Sequence, residues 1–206
     1  MDSNAVDVIT QKPTLDDVRV AVVDVETSGL SPQDHHLLQV AVVVVDATGR
    51  VLDRWCSDIR PPRGLFGDVG RRDIHGLTRR RLWRAPRLDA VLRSLQPLVA
   101  DAIVAGHNID FDVAFLDEAS RRCGIPLSTT PSLCTLELSR RLDPHRRRRH
   151  RLGDLCHFYG IALDRPHDAL ADAEATAALL SQLLREYGVA EPSQFAALIR
   201  STHSTS

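Results

Sequence analysis

The sequence is poor in several residue types, and each scarcity narrows what the chain does. Among 206 residues there are four cysteines, Cys56, Cys123, Cys134 and Cys156, widely spaced and with no CxxC pair. That pattern supports neither a disulfide framework nor a zinc site, and it fits a reduced, cytoplasmic setting. Aromatic residues make up only 4% of the chain, and methionine occurs once. The longest pure apolar run is the six residues Val40 to Val45, far too short to span a bilayer, so no membrane partner is expected. The N-terminus, Met1-Asp2-Ser3-Asn4, has neither the basic nor the apolar segment of a secretory signal. Lysine is nearly absent. Of 26 basic residues only Lys12 is Lys, and the rest are Arg.

The overall charge is balanced at −1, which excludes a general polycation. The arginines nevertheless cluster at Arg71-Arg72, Arg79-Arg80-Arg81, Arg140-Arg141, and Arg146 to Arg149 with Arg151. Arg forks suit phosphate, and a local basic rim steers a polyanion even at zero net charge. The same clusters also read as a solvated, Arg-biased surface. With 43% hydrophobic and 26% charged residues the chain has the composition of one globular domain.

The apolar pattern predicts strands at 19–26, 37–46, 51–59, 103–106 and 132–135, with a hairpin at Asp46 to Gly49. Helical spacing covers 88–99, about 110–122, a stretch ending at Leu142, 152–159, and a long Ala/Leu-rich segment at 168–187. Residues 61–81 read as loop. Strands in succession followed by alternating helix and strand predict an α/β fold, a mixed five-stranded sheet with helices on both faces. Residues 1–17 read as a flexible leader. Residues 188–206 read as a tail with a short helix at 193–199 and then disorder, and 18–187 form the domain proper.

Several carboxylates sit in surroundings that disfavour charge. Asp24 and Glu26 are two apart at the end of an apolar strand, so both point to one face. Either the strand leaves the core there, or the two acids share a site with a cation. Asp112 lies at the edge of the apolar face of its helix. It is either an early-helix acid complementing the dipole or part of a site. Asp172 falls inside the apolar stripe Ala169, Thr176, Leu179 and Leu183, with no Lys nearby to balance it. A divalent cation is a natural counter-charge, since hard cations prefer oxygen ligands. His167 is five residues from Asp172, about 500° around a helix. It therefore belongs to the preceding loop, with Asp168 as the N-cap. A loop histidine beside such a site is placed to take a proton from water.

Three segments in order carry a family resemblance: Asp24-Val25-Glu26-Thr27-Ser28-Gly29-Leu30, His107-Asn108-Ile109-Asp110-Phe111-Asp112, and His167-Asp168-Ala169-Leu170-Ala171-Asp172. Ile74 to Thr78 and Arg151 to Cys156 add matching context. Together they resemble the DnaQ-like, DEDDh-type 3′–5′ exonucleases of the ribonuclease H-like fold, over about residues 19–185. His167, five before Asp172, implies the histidine subfamily rather than the tyrosine one.

The resemblance implies that Asp24, Glu26, Asp112 and Asp172 hold two divalent cations, Mg²⁺ or Mn²⁺. It implies His167 as general base and release of 5′-mononucleotides from single-stranded 3′ ends. Thr27, Gly29, Leu30, His75, His107, Asn108 and Phe111 are the implied substrate contacts, with Leu30 against the terminal base. His107 and Asn108 serve equally well as support behind the site. DNA is the favoured substrate over RNA, a DNA polymerase is a further expected partner, and many members are dimers, so a homodimer is an assembly to test. The short stretch after Gly188 lacks the longer polymerase-tethering segment of some proofreading subunits. An RNA-trimming exoribonuclease and a non-catalytic nucleic-acid or polymerase-binding module are the competing functions. The complete acid set argues against the module.

Overall fold

The computed structural model describes residues 12–62, 69–70 and 72–199, without the side chains of Asp73 and Ile74. The expected leader at 1–11, Arg71 of the first arginine cluster and the end of the tail at 200–206 lie outside the described residues.

Five strands form one mixed sheet in the order β3-β2-β1-β4-β5. They are β1 (Arg19–Thr27), β2 (Leu37–Asp46), β3 (Val51–Asp58), β4 (Ile103–Gly106) and β5 (Ser132–Cys134). β1, β2 and β3 pair antiparallel, while β1, β4 and β5 run parallel. The eight helices of the described residues are α1 (Arg72–His75), α2 (Arg79–Trp83), α3 (Leu88–Val99), α4 (Ile109–Cys123), α5 (Thr135–Leu142), α6 (Leu152–Tyr159), α7 (Ala169–Glu186) and α8 (Pro192–Ala196).

The apolar run of β2 has the signature of a strand covered on both faces, and every residue of it is buried. Alternation along β1 sends Ala21, Val23 and Val25 to the core under α3 and α4. Val20 and Val22 go to the opposite core under α5, α6 and α7. The two cores account for the helices on both faces.

Some local expectations need correction. The segment 61–81 contains two short helices, α1 and α2, which its prolines and glycines hid. The terminal helix is Pro192–Ala196 rather than 193–199, with Pro at a helix start where its missing N–H costs nothing. Within the expected leader, Leu15–Asp17 form one 3₁₀ turn. The Leu15 carbonyl accepts a hydrogen bond from Ala47 N–H, fixing the turn to the β2–β3 hairpin. Among the described residues no helix is long and apolar enough to cross a membrane.

Unequal strand length is what opens a site in the sheet. β4 pairs only with Val20, Ala21 and Val22 of β1, so β1 runs on for five residues beyond its parallel neighbour. Gly106 ends β4 at this split. A Cβ there would stand 2.7 Å from Ile109 Cδ1 and 3.1 Å from the Val23 carbonyl, so any side chain would push α4 away from β1.

Candidate active site

The extension of β1 carries Asp24 and Glu26. Both share the side of the strand that holds Val20 and Val22, the side facing α7. Asp112, one turn into α4, fills the gap left by β4. Its Oδ1 accepts a hydrogen bond from Val25 N–H at 3.1 Å, where a strand would otherwise supply the acceptor. It is buried, at 5% exposure.

Asp172 arrives from α7. The Asp168 side chain caps this helix by accepting from Ala171 N–H at 3.2 Å, as expected. A residue that the sequence reading missed, Gln39, fixes where the helix starts. Gln39 is buried on β2 directly opposite Glu26. Its Oε1 accepts from Ala169 N–H at 3.2 Å, and its Nε2 donates to Asp58 Oδ1 at 2.8 Å. Asp58 accepts in turn from Nε and Nη2 of Arg81. A single Gln inside an otherwise apolar strand was the available signal.

Asp172 Oδ2 accepts from the backbone N–H of His167 at 2.9 Å. His167 occupies the left-handed region at φ 67°, costly for a residue with a side chain. The ring is exposed at the mouth of the cleft. Ligand atoms of Glu26, His167 and Asp172 all lie within 4.8 Å of one another, a grouping able to hold a metal ion.

The electrostatics of the cleft are one-sided. Asp24 is pushed well above the ordinary carboxylate range, first by burial and then by Asp112, Asp172 and Glu26. Burial pushes Glu26 up to about 8, helped by Asp172 and Asp168. Asp112 also rises to about 8 through burial, against the lowering effect of the Val25 N–H. Burial raises Asp172 as well, with the His167 N–H pulling the other way. Among the described residues none of these four carboxylates forms an ion pair with Lys or Arg. Four converging acids without a counter-charge match the chemistry of a divalent-cation site built from oxygen ligands.

The remaining expected contacts divide into two groups. At the rim stand Leu30, 84% exposed, and Asn108, an exposed residue in the left-handed conformation at the start of α4. Thr27 ends β1, and its hydroxyl donates to the Gly29 carbonyl at 2.6 Å, closing the turn that presents Leu30. Gly29 is needed because the His35 ring occupies the space a Cβ would take.

The other group faces inward. His75 is buried, with Nε2 on the Val69 carbonyl at 3.0 Å and Nδ1 accepting from Leu77 N–H at 3.0 Å. His107 places Nε2 2.9 Å from the His150 carbonyl and Nδ1 3.0 Å from Thr135 Oγ1. A carbonyl only accepts, so His107 carries its proton on Nε2. Burial pushes its pKa down to about 4, which keeps the ring neutral. Both histidines have their ring nitrogens committed to partners inside the protein. Phe111 is half-buried and packs on Phe115 with ring centroids 5.0 Å apart, as part of the core under α4.

Comparison with known proteins agrees with this architecture. The family model RNase_T, described as Exonuclease, matches residues 21–180. A DNA polymerase III PolC-type protein of Streptococcus suis is 35% identical over 172 residues, 84% of this chain but only 12% of that relative. E. coli exonuclease I in complex with a dT13 oligonucleotide superposes with a TM-score of 0.72 at 19% identity, covering 87% of this chain and 43% of the other. Exonuclease X in complex with 5′ overhanging duplex DNA gives a TM-score of 0.67 at 24% identity, covering 87% of this chain and 98% of the other. These two structures share the fold, a mixed five-stranded ribonuclease H-like sheet flanked by helices. On the strength of the family match over residues 21–180, the chain belongs to the RNase_T exonuclease family, in keeping with the DnaQ-like, DEDDh-type resemblance of its motifs.

Proposed function

We propose that residues 18–187 form a metal-dependent 3′–5′ exonuclease domain that removes 5′-mononucleotides from single-stranded DNA. The observation that carries this reading is the meeting of Asp24, Glu26, Asp112 and Asp172 without a Lys or Arg partner among the described residues, beside an exposed His167. The donor set suits two divalent cations, Mg²⁺ or Mn²⁺, held by the four carboxylates. Bound there, such a pair supplies charge stabilisation for the attacking and leaving oxygens of an in-line displacement.

The chain's own residues do the rest. The His167 ring stands beside Glu26 and Asp172 and takes a proton from the attacking water. Its backbone N–H on Asp172 sets the ring's position. Leu30 presents an apolar surface to the terminal base, favouring an unpaired end that exposes its π-face. The water oxygen bonds to the last phosphorus and the bond to the 3′ oxygen of the preceding sugar breaks. A 5′-mononucleotide and a shortened strand with a 3′-hydroxyl result.

DNA is favoured because exonuclease I and exonuclease X, of like fold, are each described with a DNA ligand. A DNA polymerase is a fitting partner because the sequence relatives are named as polymerases.

The test uses 5′-labelled single-stranded DNA and RNA of one sequence with Mg²⁺ or Mn²⁺, and EDTA and Asp172→Ala as controls. The expected result is a DNA ladder shortening one nucleotide at a time from the 3′ end and absent from both controls. Preferential shortening of RNA would overturn the substrate assignment. Binding of both strands with no cleavage would turn the reading to a non-catalytic module.

A further inference from the structure

A second charged concavity, about 820 Å³ in volume, lies at the start of α4. It is bounded by α5, the loop 143–151 and the start of α6, and its rim includes Asn108. Asn108 precedes Asp112 by four residues, about 6 Å along a helix. The basic concavity therefore begins about one helical turn from the acidic cleft.

The loop that forms it is built rather than loose. Asp143 is buried, and its Oδ2 accepts from Arg148 N–H at 2.9 Å and lies 3.4 Å from His150 Nε2. Arg146 N–H donates to the Asp143 carbonyl at 2.9 Å, closing a turn in which Arg146 adopts φ 49°. The Arg148 guanidinium lies 4.3 Å over the Phe158 ring and contacts the Tyr159 hydroxyl at 3.3 Å. His150 is anchored through Nδ1 to Ser139 Oγ at 3.0 Å and through its carbonyl to His107.

Arg148 is thus committed to the loop. Arg140, Arg146, Arg149 and Arg151 are exposed, line the same concavity, and have no carboxylate within 4.0 Å among the described residues. Their field reaches inward. Burial lowers His150, Asp143 opposes that, and Arg146, Arg140 and Arg148 lower it further. Several like charges held together by a braced loop repel one another modestly in water and raise the local potential for an arriving anion. Guanidinium forks contributed by α5 and by the loop that follows it suit several successive phosphates better than one small anion.

We propose that this pocket binds the phosphodiester backbone of the single strand upstream of the nucleotide being removed. The acidic cleft repels phosphate, and the arginine pocket supplies the attraction that delivers the strand to it. This inference rests on the exonuclease reading for its direction, but binding tests it separately from hydrolysis.

The experiment compares the wild-type protein with the triple variant Arg140→Gln, Arg149→Gln, Arg151→Gln, all three at exposed positions, with circular dichroism and Tm to check the fold. Binding of a 5′-fluorescent dT12 oligomer is followed by anisotropy in EDTA across a salt series. Three lost phosphate contacts should reduce the slope of log K against log salt by about 2. Hydrolysis with Mn²⁺ then compares dT12 with p-nitrophenyl thymidine 5′-phosphate, which has no upstream backbone. The ratio of kcat/KM for the oligomer over the ester should fall about tenfold or more, chiefly through KM. An unchanged salt slope would overturn the proposal and leave the arginines as solvated surface. An equal loss on both substrates would make the pocket a support for the cleft and also overturn it. Pocket-dependent binding in a protein that hydrolyses neither substrate would support the pocket while refuting the exonuclease reading.

Discussion

The acidic cleft and the arginine pocket are neighbours with opposite defects. Among the described residues, the cleft gathers four carboxylates with no Lys or Arg paired to them, and the pocket gathers four exposed arginines with no carboxylate within 4.0 Å. They are made in different ways. The cleft brings together β1, α4 and α7, segments far apart in the chain, and its charges are largely buried. The pocket comes mostly from one local stretch, 140–152, and its charges are exposed. Burial makes an unbalanced charge expensive, so the cleft's imbalance needs an explanation that the pocket's does not. A divalent cation explains the first, and a polyanion arriving at the cleft would link the two.

The largest effect should come from breaking the cleft. Asp172→Ala is expected to abolish hydrolysis while the fold survives, with a metal-free Tm equal to or above wild type because one buried charge is gone. An unfolded variant, or full activity, would remove Asp172 from the site. Next is His167→Ala, which should lower kcat by roughly 10²–10⁴ with metal affinity largely retained. Loss of metal binding in that variant would make His167 a ligand rather than a base.

A smaller effect sharpens how the cleft is held. Gln39→Ala leaves Ala169 N–H without its buried acceptor, which should cost about 1–3 kcal/mol. Thermal unfolding should show that as a Tm lower by roughly 2–10 °C. An unchanged Tm would mean that α7 is positioned by packing alone.

A further effect is graded with pH. Glu26 rises from 4.5 to about 8 in the folded, metal-free protein, and Asp112 from 3.8 to about 8. Between those values the folded state keeps protons that the unfolded state has released. Stability without metal should therefore be full near pH 4 and decline as pH rises towards 8. Mg²⁺ should counter the decline, most strongly at the alkaline end. Urea titrations at several pH values, in EDTA and in Mg²⁺, would show it. Metal-free stability that rises over this window would contradict the burial of these acids.

The sequence exposed the cleft because a carboxylate inside an apolar period is an anomaly. Asp24 and Glu26 on β1 and Asp172 in the stripe of α7 were legible for that reason, as were the strands themselves. Asp112 was not decisive, since what marks it is a bond to Val25 N–H across 87 positions, and no local pattern encodes that. Gln39 escaped for a related cause: its importance lies in reaching α7 from β2. His75 was expected near the terminal nucleotide, and His107 either there or as support behind the site; the inward partners of their ring nitrogens are ones that only the fold supplies. The short helices α1 and α2 were masked by prolines and glycines that mark turns equally well. The arginine run was visible from the start. What the sequence could not show was that Asp143 and His150 brace it into a concavity beside Asp112.

On the proposed function, the four carboxylates are the counter-charge for divalent cations and His167 stands outside that set. Mn²⁺ titration by isothermal calorimetry on the wild-type protein, Asp172→Ala and His167→Ala tests it most directly. Two Mn²⁺ should bind to the wild type and to His167→Ala, with binding lost in Asp172→Ala. No Mn²⁺ binding by the wild type, or equal loss in both variants, would contradict it.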